Sequence, residues 1–506
     1  MPDRFRVLRR MAPLALAIVA TGGTSASAQR RTQPDRPPAL NRFRDEEIRR
    51  DLFALAGDTM RGREAGTLDE LRASIWVADR AREAGLLPAG DDGSYFQWWP
   101  MRRIRTSNGS SVSIDGRKLA LWREAIVTAP VTATVADQPL LFVGEGKDAD
   151  LAGRDISGKA VVALLSAPAN PPAANMSLRG YRWTLASVRQ RSQFLLQRGA
   201  SAVVLVSDSI ADAEFERAGT ILGRGRYNID STGTGTIPAQ APVILVRRAM
   251  LDQLKNGTAR LALSLVAESF IYPSVNIVAK VPGTDPVRRS EYVLFSGHQD
   301  HDGVRFPVNG DSIWNGADDN ASVAVGMLAI ARAWAAKPGA RSALFVWHGA
   351  EERGLLGSRW FVAHPTVPRA SIAAVLNADM IGRNHPDSAA LLGSQPPHRN
   401  SAALVDMALA ANARLTRFVV DSSWDRPAHP EGWYFRSDHL PYARAGVPSL
   451  MFTTLLHPDY HTPFDNPDRI DVHKLSRMAQ WMYATGWMVS ETPARPVVDV
   501  GFKLER

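Results

Sequence analysis

A chain of 506 residues with no cysteine excludes disulfides and thiolate metal ligands, which leaves histidine, aspartate and glutamate as the strong ligands for any metal. Its formal charge of +9 is not gathered into a basic block or a basic helix, so a solvated surface accounts for it and no nucleic-acid partner is expected. The length exceeds one ordinary domain and points to two or three.

Residues 1–28 read as a signal peptide. Arg4, Arg6, Arg9 and Arg10 form the basic start, residues 11–20 a short apolar core, and Ala26-Ser27-Ala28 a cleavage site before Gln29. That core is too short for a membrane span of ~20 residues. The expectation is a secreted or periplasmic protein with no membrane anchor in its mature form, and loss of four arginines and one aspartate with the segment lowers the charge to +6. Residues 29–41, rich in Pro and Arg, read as a disordered lead-in.

Residues 42–130 open the main domain. Ile48, Leu52 and Leu55, then Leu71, Ile75, Ala78 and Ala81, recur at spacings of three and four and predict helices over 45–87, interrupted by a loop at 62–67. Residues 131–266 alternate short apolar runs, at 139–143, 159–165, 202–206 and 242–246, with turn residues; this pattern predicts a mainly-β insert without candidate ligands. From 267 to 495 strands and helices alternate, predicting an α/β fold with a mostly parallel mixed sheet flanked by helices. The predicted strands are 275–281, 292–296, 342–347, 373–376 and 447–453, with a helix at 321–336. Residues 496–506 form a tail.

Five short segments in this last region gather acids and histidines just past predicted strands, where α/β folds collect their reactive groups. His298 and Asp300 flank Gln299; Asp300 is positioned to take the second ring N–H of a ligating histidine. Asp318, Asp319 and Asn320 precede a helix, so an N-cap explains them as well as ligation does. Glu351 and Glu352 can divide metal binding and proton transfer between them. Asp379 is wedged between apolar segments, a costly place for a carboxylate unless it is paired or metal-bound. His461 sits in a turn-rich loop where a histidine alone would mean little; the joint order His, Asp, Glu-Glu, Asp, His carries the signal.

Residues 274–470 resemble the two-zinc aminopeptidase family of bacterial leucyl aminopeptidase, aminopeptidase Y and glutamate carboxypeptidase II. The resemblance rests on Asn315-Gly316-Ala317-Asp318-Asp319-Asn320, Ala350-Glu351-Glu352-Arg353-Gly354-Leu355-Leu356-Gly357-Ser358, Asp379-Met380-Ile381-Gly382 and Tyr460-His461-Thr462-Pro463. Gly62-Arg63 and Gly66-Thr67 resemble the family's N-terminal region, and the insert resembles a protease-associated domain. The resemblance implies two Zn2+ per chain, with Asp319 bridging, His298 and Asp379 on one ion, Glu352 and His461 on the other, and Glu351 as general base. It also implies a cis peptide at Asp319–Asn320. His348 is expected to pack and not to ligate.

A peptide is the implied substrate. Ser437, Asp438, His439 and Tyr460 are expected near the pocket, and Trp424 and Trp433, with Tyr434 and Phe435, are candidates for an apolar wall. Arg426 and Arg436 would instead suit a carboxylate-bearing substrate. The leading expectation is a metallo-aminopeptidase. A carboxypeptidase or dipeptidase of the same fold and a catalytically inactive binding protein are the alternatives; a glutaminyl cyclase is disfavoured by the full ligand set. The oligomeric state is left open.

Overall fold

The computed structural model describes residues 36–230 and 240–504, so the expected signal segment lies outside the described residues. Two sheets organise the chain, one of ten strands and one of eight. In the larger, the spatial order is Val419–Asp421, Ser388–Leu392, Ser449–Thr453, Ile372–Ala378, Tyr292–His298, Ser342–His348, Ala267–Val281, Phe96–Thr106 and Arg226–Ile229, with Leu87–Pro88 also paired to Ala267–Val281. The four strands from 449–453 to 342–348 run parallel. Those flanking them on both sides are antiparallel.

The parallel strands read as continuous apolar runs because both of their faces are covered. Phe295, Phe345 and Leu376 face the helices Asp45–Leu55, Val323–Ala336 and Val472–Glu491, while Leu294, Val346 and Val375 face Phe361 and Tyr442 on the other side. Each large apolar side chain buried this way contributes about 1.5–3 kcal/mol before entropy is set against it. The helix Leu68–Glu83 starts where Thr67 accepts hydrogen bonds from the amides of Asp69 and Glu70. Its buried face is Ala73, Val77, Ala78 and Ala81; of the expected face, Ala78 and Ala81 are buried while Leu71 is half-buried and Ile75 is exposed. No helix among the described residues is long and apolar enough to cross a membrane.

The second sheet has the order Arg117–Lys118, Ser111–Ile114, Arg260–Leu265, Ala133–Phe142, Ala160–Leu164, Ala202–Val206, Val243–Val246 and Ala125–Val127. The four predicted runs are present as its neighbouring parallel strands. Two features go beyond the sequence pattern. Strands from 111–127 join this sheet, so the unit starts well before residue 131, and Arg226–Ile229 leaves it to pair with Phe96–Thr106. The unit also carries the helices Arg179–Gln197 and Phe215–Arg224, which pack on one face of the sheet. The longer helix gave little periodic signal because its buried side includes Thr184, Ser187, Arg191 and Ser192.

Candidate metal centre

The acids and histidines converge where the parallel strands of the larger sheet end. His298 is the last residue of its strand, Glu351 and Glu352 follow Ser342–His348, and Asp379 follows Ile372–Ala378. Asp319 lies in the wide helical turn Ala317–Ser322 that leads into the Val323–Ala336 helix, and His461 comes from the loop after Ser449–Thr453. Two groups of possible ligands result: His298, Asp319 and Asp379; and His301, Asp319, Glu352 and His461. Within each, the ligand atoms lie within 4.8 Å of one another.

Asp319 belongs to both groups, with its two oxygens turned in different directions. Oδ1 is 3.5 Å from His298 Nε2, and Oδ2 is 3.1 Å from His461 Nε2. Asp379 Oδ2 lies 3.8 Å and Glu351 Oε2 3.7 Å from the same His298 nitrogen. On the other side, Glu352 Oε1 is 3.4 Å from His461 Nε2 and 2.8 Å from His301 Nδ1.

These donors fit a pair of divalent cations. Buried polar atoms nearly always have partners, yet His298 Nε2, both ring nitrogens of His301 and Glu352 Oε1 have no aligned hydrogen bond. The electrostatics point the same way. Burial pulls His298 and His461 down, but the carboxylates around them, led by Glu351 and Glu352 respectively, carry both well above the usual histidine range. Burial raises Asp319 and lifts Glu351 well above an ordinary carboxylate. Glu352 goes the other way, held well below an ordinary carboxylate by His461 and His301 against the pull of its burial. Histidines that hold protons among acids, two of which are pushed up, mark a pocket that calls for added positive charge.

A surrounding layer fixes these groups. Asp302 Oδ2 lies 3.0 Å from His461 Nδ1, a charge contact on the far side of the ring from Nε2 that has no aligned hydrogen bond. For His298 the partner differs from expectation. Its Nδ1 meets the backbone carbonyl of Asp300 at 3.1 Å, with the carboxylate at 3.7 Å. The Asp300 side chain instead accepts the amides of Glu351 and Glu352 at 3.0 and 3.3 Å, because the tight turn of the chain directs it across to that neighbouring loop. Burial raises Asp300 to about 6. Asp465 accepts the amides of Asp318 and Asp319. Arg63, wholly buried, donates to the carbonyls of Leu55, Gln299, Asn315 and Gly316 and so ties two ligand loops together.

Local backbone conformation is as specialised as the side chains. The Asp319–Asn320 peptide is cis. Gly316 has φ of 58°, and a Cβ there would meet the Asp319 carbonyl at 2.2 Å and the His301 ring at 2.3 Å. Ala350, Met380 and His461 are left-handed without being glycine, a cost that tends to collect at functional sites. Asp318 and Asn320 do not cap the following helix. Asp318 Oδ1 accepts the Gly382 amide at 2.7 Å and Asn320 Oδ1 the Met380 amide at 3.2 Å, stitching the turn to the Asp379 loop.

His348 stands outside both groups, with Nε2 3.2 Å from the Tyr442 hydroxyl; burial pushes it down to about 3, so it is neutral. Ser437 receives the side-chain amide of Asn377. Asp438 is buried, and burial raises it to about 7 against the pull of His298. His439, lowered to about 3 by burial, packs edge-on to Tyr434. Trp433 and Tyr434 are buried with Met380, and Trp424 and Tyr460 are half-buried against them, forming an apolar cluster next to Asp379 and His461. Arg426 is exposed. Arg436 is engaged by Glu431 and the Tyr460 hydroxyl, each at 2.8 Å.

The sequence reading passed over His301, Asp302 and Asp465. The first two stand directly after Asp300, and the run His298-Gln299-Asp300-His301-Asp302 is the signal that would have found them. Asp465 carries no local signal.

Residues 276–486 match the family model described as Peptidase family M28. Among curated proteins, a probable leucine aminopeptidase 1 of Trichophyton verrucosum is 29% identical over 42% of this chain and 58% of its own length. Aminopeptidase YwaD of Bacillus subtilis is 27% identical over 50% of this chain and 53% of its own. The chain spans somewhat more than half the length of these relatives. Two solved structures share the fold. An aminopeptidase from Aneurinibacillus sp. strain AM-1 has a TM-score of 0.55 at 19% identity, covering 91% of this chain and 97% of that one. BSAP, a zinc aminopeptidase from Bacillus subtilis, has a TM-score of 0.57 at 18% identity, covering 89% and 96%.

Proposed function

From the match of residues 276–486 to Peptidase family M28, we propose that this protein is a zinc-dependent aminopeptidase that removes N-terminal residues from peptides. The observation that carries the reading is Asp319, whose two oxygens serve two separate groups of buried ligands while Glu351 stands beside them. His298 and Asp379 would hold one Zn2+, and Glu352 with His461 the other, His301 lying against Glu352. Zinc bound there supplies a Lewis acid that activates water and stabilises the developing oxyanion.

The rest of the work falls to the chain. Glu351, made more basic by burial, accepts the proton of the attacking water and delivers it to the leaving amine. Asp300 holds the Glu351 and Glu352 amides and so sets where both carboxylates stand. The Asp300 carbonyl keeps the tautomer of His298 that leaves Nε2 as the ligand atom, and the Asp302 carboxylate stands against Nδ1 of His461. The apolar cluster of Trp424, Trp433 and Tyr460 would take the substrate's N-terminal side chain, with Ser437, Asp438 and His439 shaping its floor. Export by the segment ending at Ala28 would put this chemistry in the periplasm or outside the cell.

Hydrolysis of a panel of aminoacyl and N-blocked peptides, before and after chelation and zinc readdition, tests the proposal. Zinc-restored release from free N-termini alone is the expected result. Cleavage of blocked peptides would favour a carboxypeptidase, and inactivity with metal bound would favour a binding protein.

A further inference from the structure

One buried carboxylate ties the second unit to the loops of the metal centre. Glu431 stands just before the short helical turn Trp433–Phe435, and only 2% of its side chain is exposed. Its Oε1 accepts the amide of Ser177 at 2.5 Å, and its Oε2 accepts the Ser177 hydroxyl at 2.9 Å, Arg182 at 3.3 Å and Arg436 at 2.8 Å. Ser177 and Arg182 belong to the second unit, at the start of the helix Arg179–Gln197. Two guanidiniums therefore meet on one carboxylate. Burial and the neighbouring Arg436 pull Arg182 below the ordinary arginine range, so without the Glu431 charge the two cations would part.

The other arm of Arg436 does what a plain link between units would not need. Its Nη2 donates to the Tyr460 hydroxyl at 2.8 Å, and its fork lies over the rings of Trp433 at 4.4 Å and Tyr460 at 5.8 Å. Those two rings stand edge to face, 6.0 Å apart. Tyr460 directly precedes His461, with the rings 4.1 Å apart, and Arg217 of the second unit donates to the His461 carbonyl at 3.4 Å. A guanidinium is planar and rigid, so turning the arm held by Glu431 turns the arm on Tyr460. Resting on the aminopeptidase reading, in which Trp433 and Tyr460 wall the pocket for the substrate's N-terminal side chain, we propose that Glu431 is a positioning residue for specificity. It holds Arg436, and through Arg436 the spacing of Trp433 and Tyr460, while Ser177 and Arg182 fix Glu431 in turn. Side-chain preference is then set in part by a unit that supplies none of the candidate ligands.

Calorimetric binding of leucine hydroxamate and alanine hydroxamate to the zinc-loaded protein reads the pocket without turnover. The unmutated protein should prefer the leucine probe by about tenfold or more. Glu431→Gln keeps the shape and removes the charge; it should lower that preference by about threefold or more, the size of a coupling within one hydrogen-bond network, with zinc content unchanged. Arg182→Gln should act in the same direction by less. The Arg182 side chain is 31% exposed, so this variant decides alone should Glu431→Gln fail to fold. Equal weakening of both probes would mark a merely structural role and, like an unchanged preference in the variants or no leucine preference in the unmutated protein, would overturn the proposal. Release of N-terminal leucine and alanine by the unmutated protein is read separately. Turnover with unchanged preference in the variants removes the positioning role and leaves the aminopeptidase standing, whereas an altered preference without turnover does the reverse. With turnover present, KM for leucyl substrates should rise in Glu431→Gln while kcat holds.

Discussion

The two sheets are built alike and end differently. Each has four neighbouring parallel strands with apolar stretches at their pairing, such as Leu344, Phe345 and Val346 in one and Val203, Val204 and Leu205 in the other. Beyond the second sheet's strands the polar groups are absorbed into structure: Asp208 caps the next helix by accepting the Ala211 amide at 2.7 Å, and Ser207 donates to the Val246 carbonyl. Past the larger sheet's strands, His298, His301 and Glu352 keep buried atoms without an aligned hydrogen bond, and among the described residues both candidate metal groups lie there. Strand ends offer a place for chemistry; what makes the place a site is donors left unsatisfied by the fold itself.

The sharpest test of that contrast is Glu351→Gln. It removes a proton acceptor and no ligand, so turnover should fall roughly a thousandfold while zinc content and melting temperature hold; retained activity would sink the assignment of base. Complete chelation comes next. Stability should drop by about 4 kcal/mol for each zinc held at a thousandfold over its dissociation constant, and hydrogen exchange should quicken in 297–302 and 315–322 but not in 202–206. Equal loosening of both sheets would dissolve the distinction between them.

A smaller effect is expected from Asp302→Asn, which removes the negative charge 3.0 Å from His461 Nδ1. Zinc affinity should fall by about 10- to 100-fold, measured by competition with a chelator; unchanged affinity would mean that Asp302 serves only Arg224, Arg305 and Arg353, which it also meets. The smallest effect is one of pH, at Glu70 beneath the ligand loops. Burial, with Asp300 nearby, raises this carboxyl to about 8, whereas an unfolded glutamate titrates near ~4.3. The folded state holds the proton more tightly, so this contribution is complete below about pH 4.3 and is lost as pH rises through about 8. Urea midpoints for Glu70→Gln should therefore decline less than those of the unmutated protein between pH 5 and 9, and parallel curves would rule the group out.

Much of this was legible in one dimension. The parallel strands, the helices at 45–55 and 68–83, and the residues His298, Asp319, Glu351, Glu352, Asp379 and His461 could each be picked out because apolar periodicity and ligand chemistry are local properties of a few residues. The start of the second unit near residue 111 was hidden, since Ser111–Ile114 gains its place only by pairing with Arg260–Leu265. The helix Arg179–Gln197 was hidden because its inner face is partly polar.

By itself, then, the sequence determined the α/β class and pointed to five of the six side chains in the two candidate metal groups, all but His301, through spacing and residue type. Only tertiary structure decided that Asp300 reaches the Glu351 and Glu352 amides, that Arg63 clamps two loops, that Asp465 holds the Asp319 turn, and that arginines from two units meet on Glu431. The reason is that a charged side chain's partner is chosen by distance in space. Nothing in its near neighbours along the chain records which carbonyl, amide or carboxylate the fold will bring beside it.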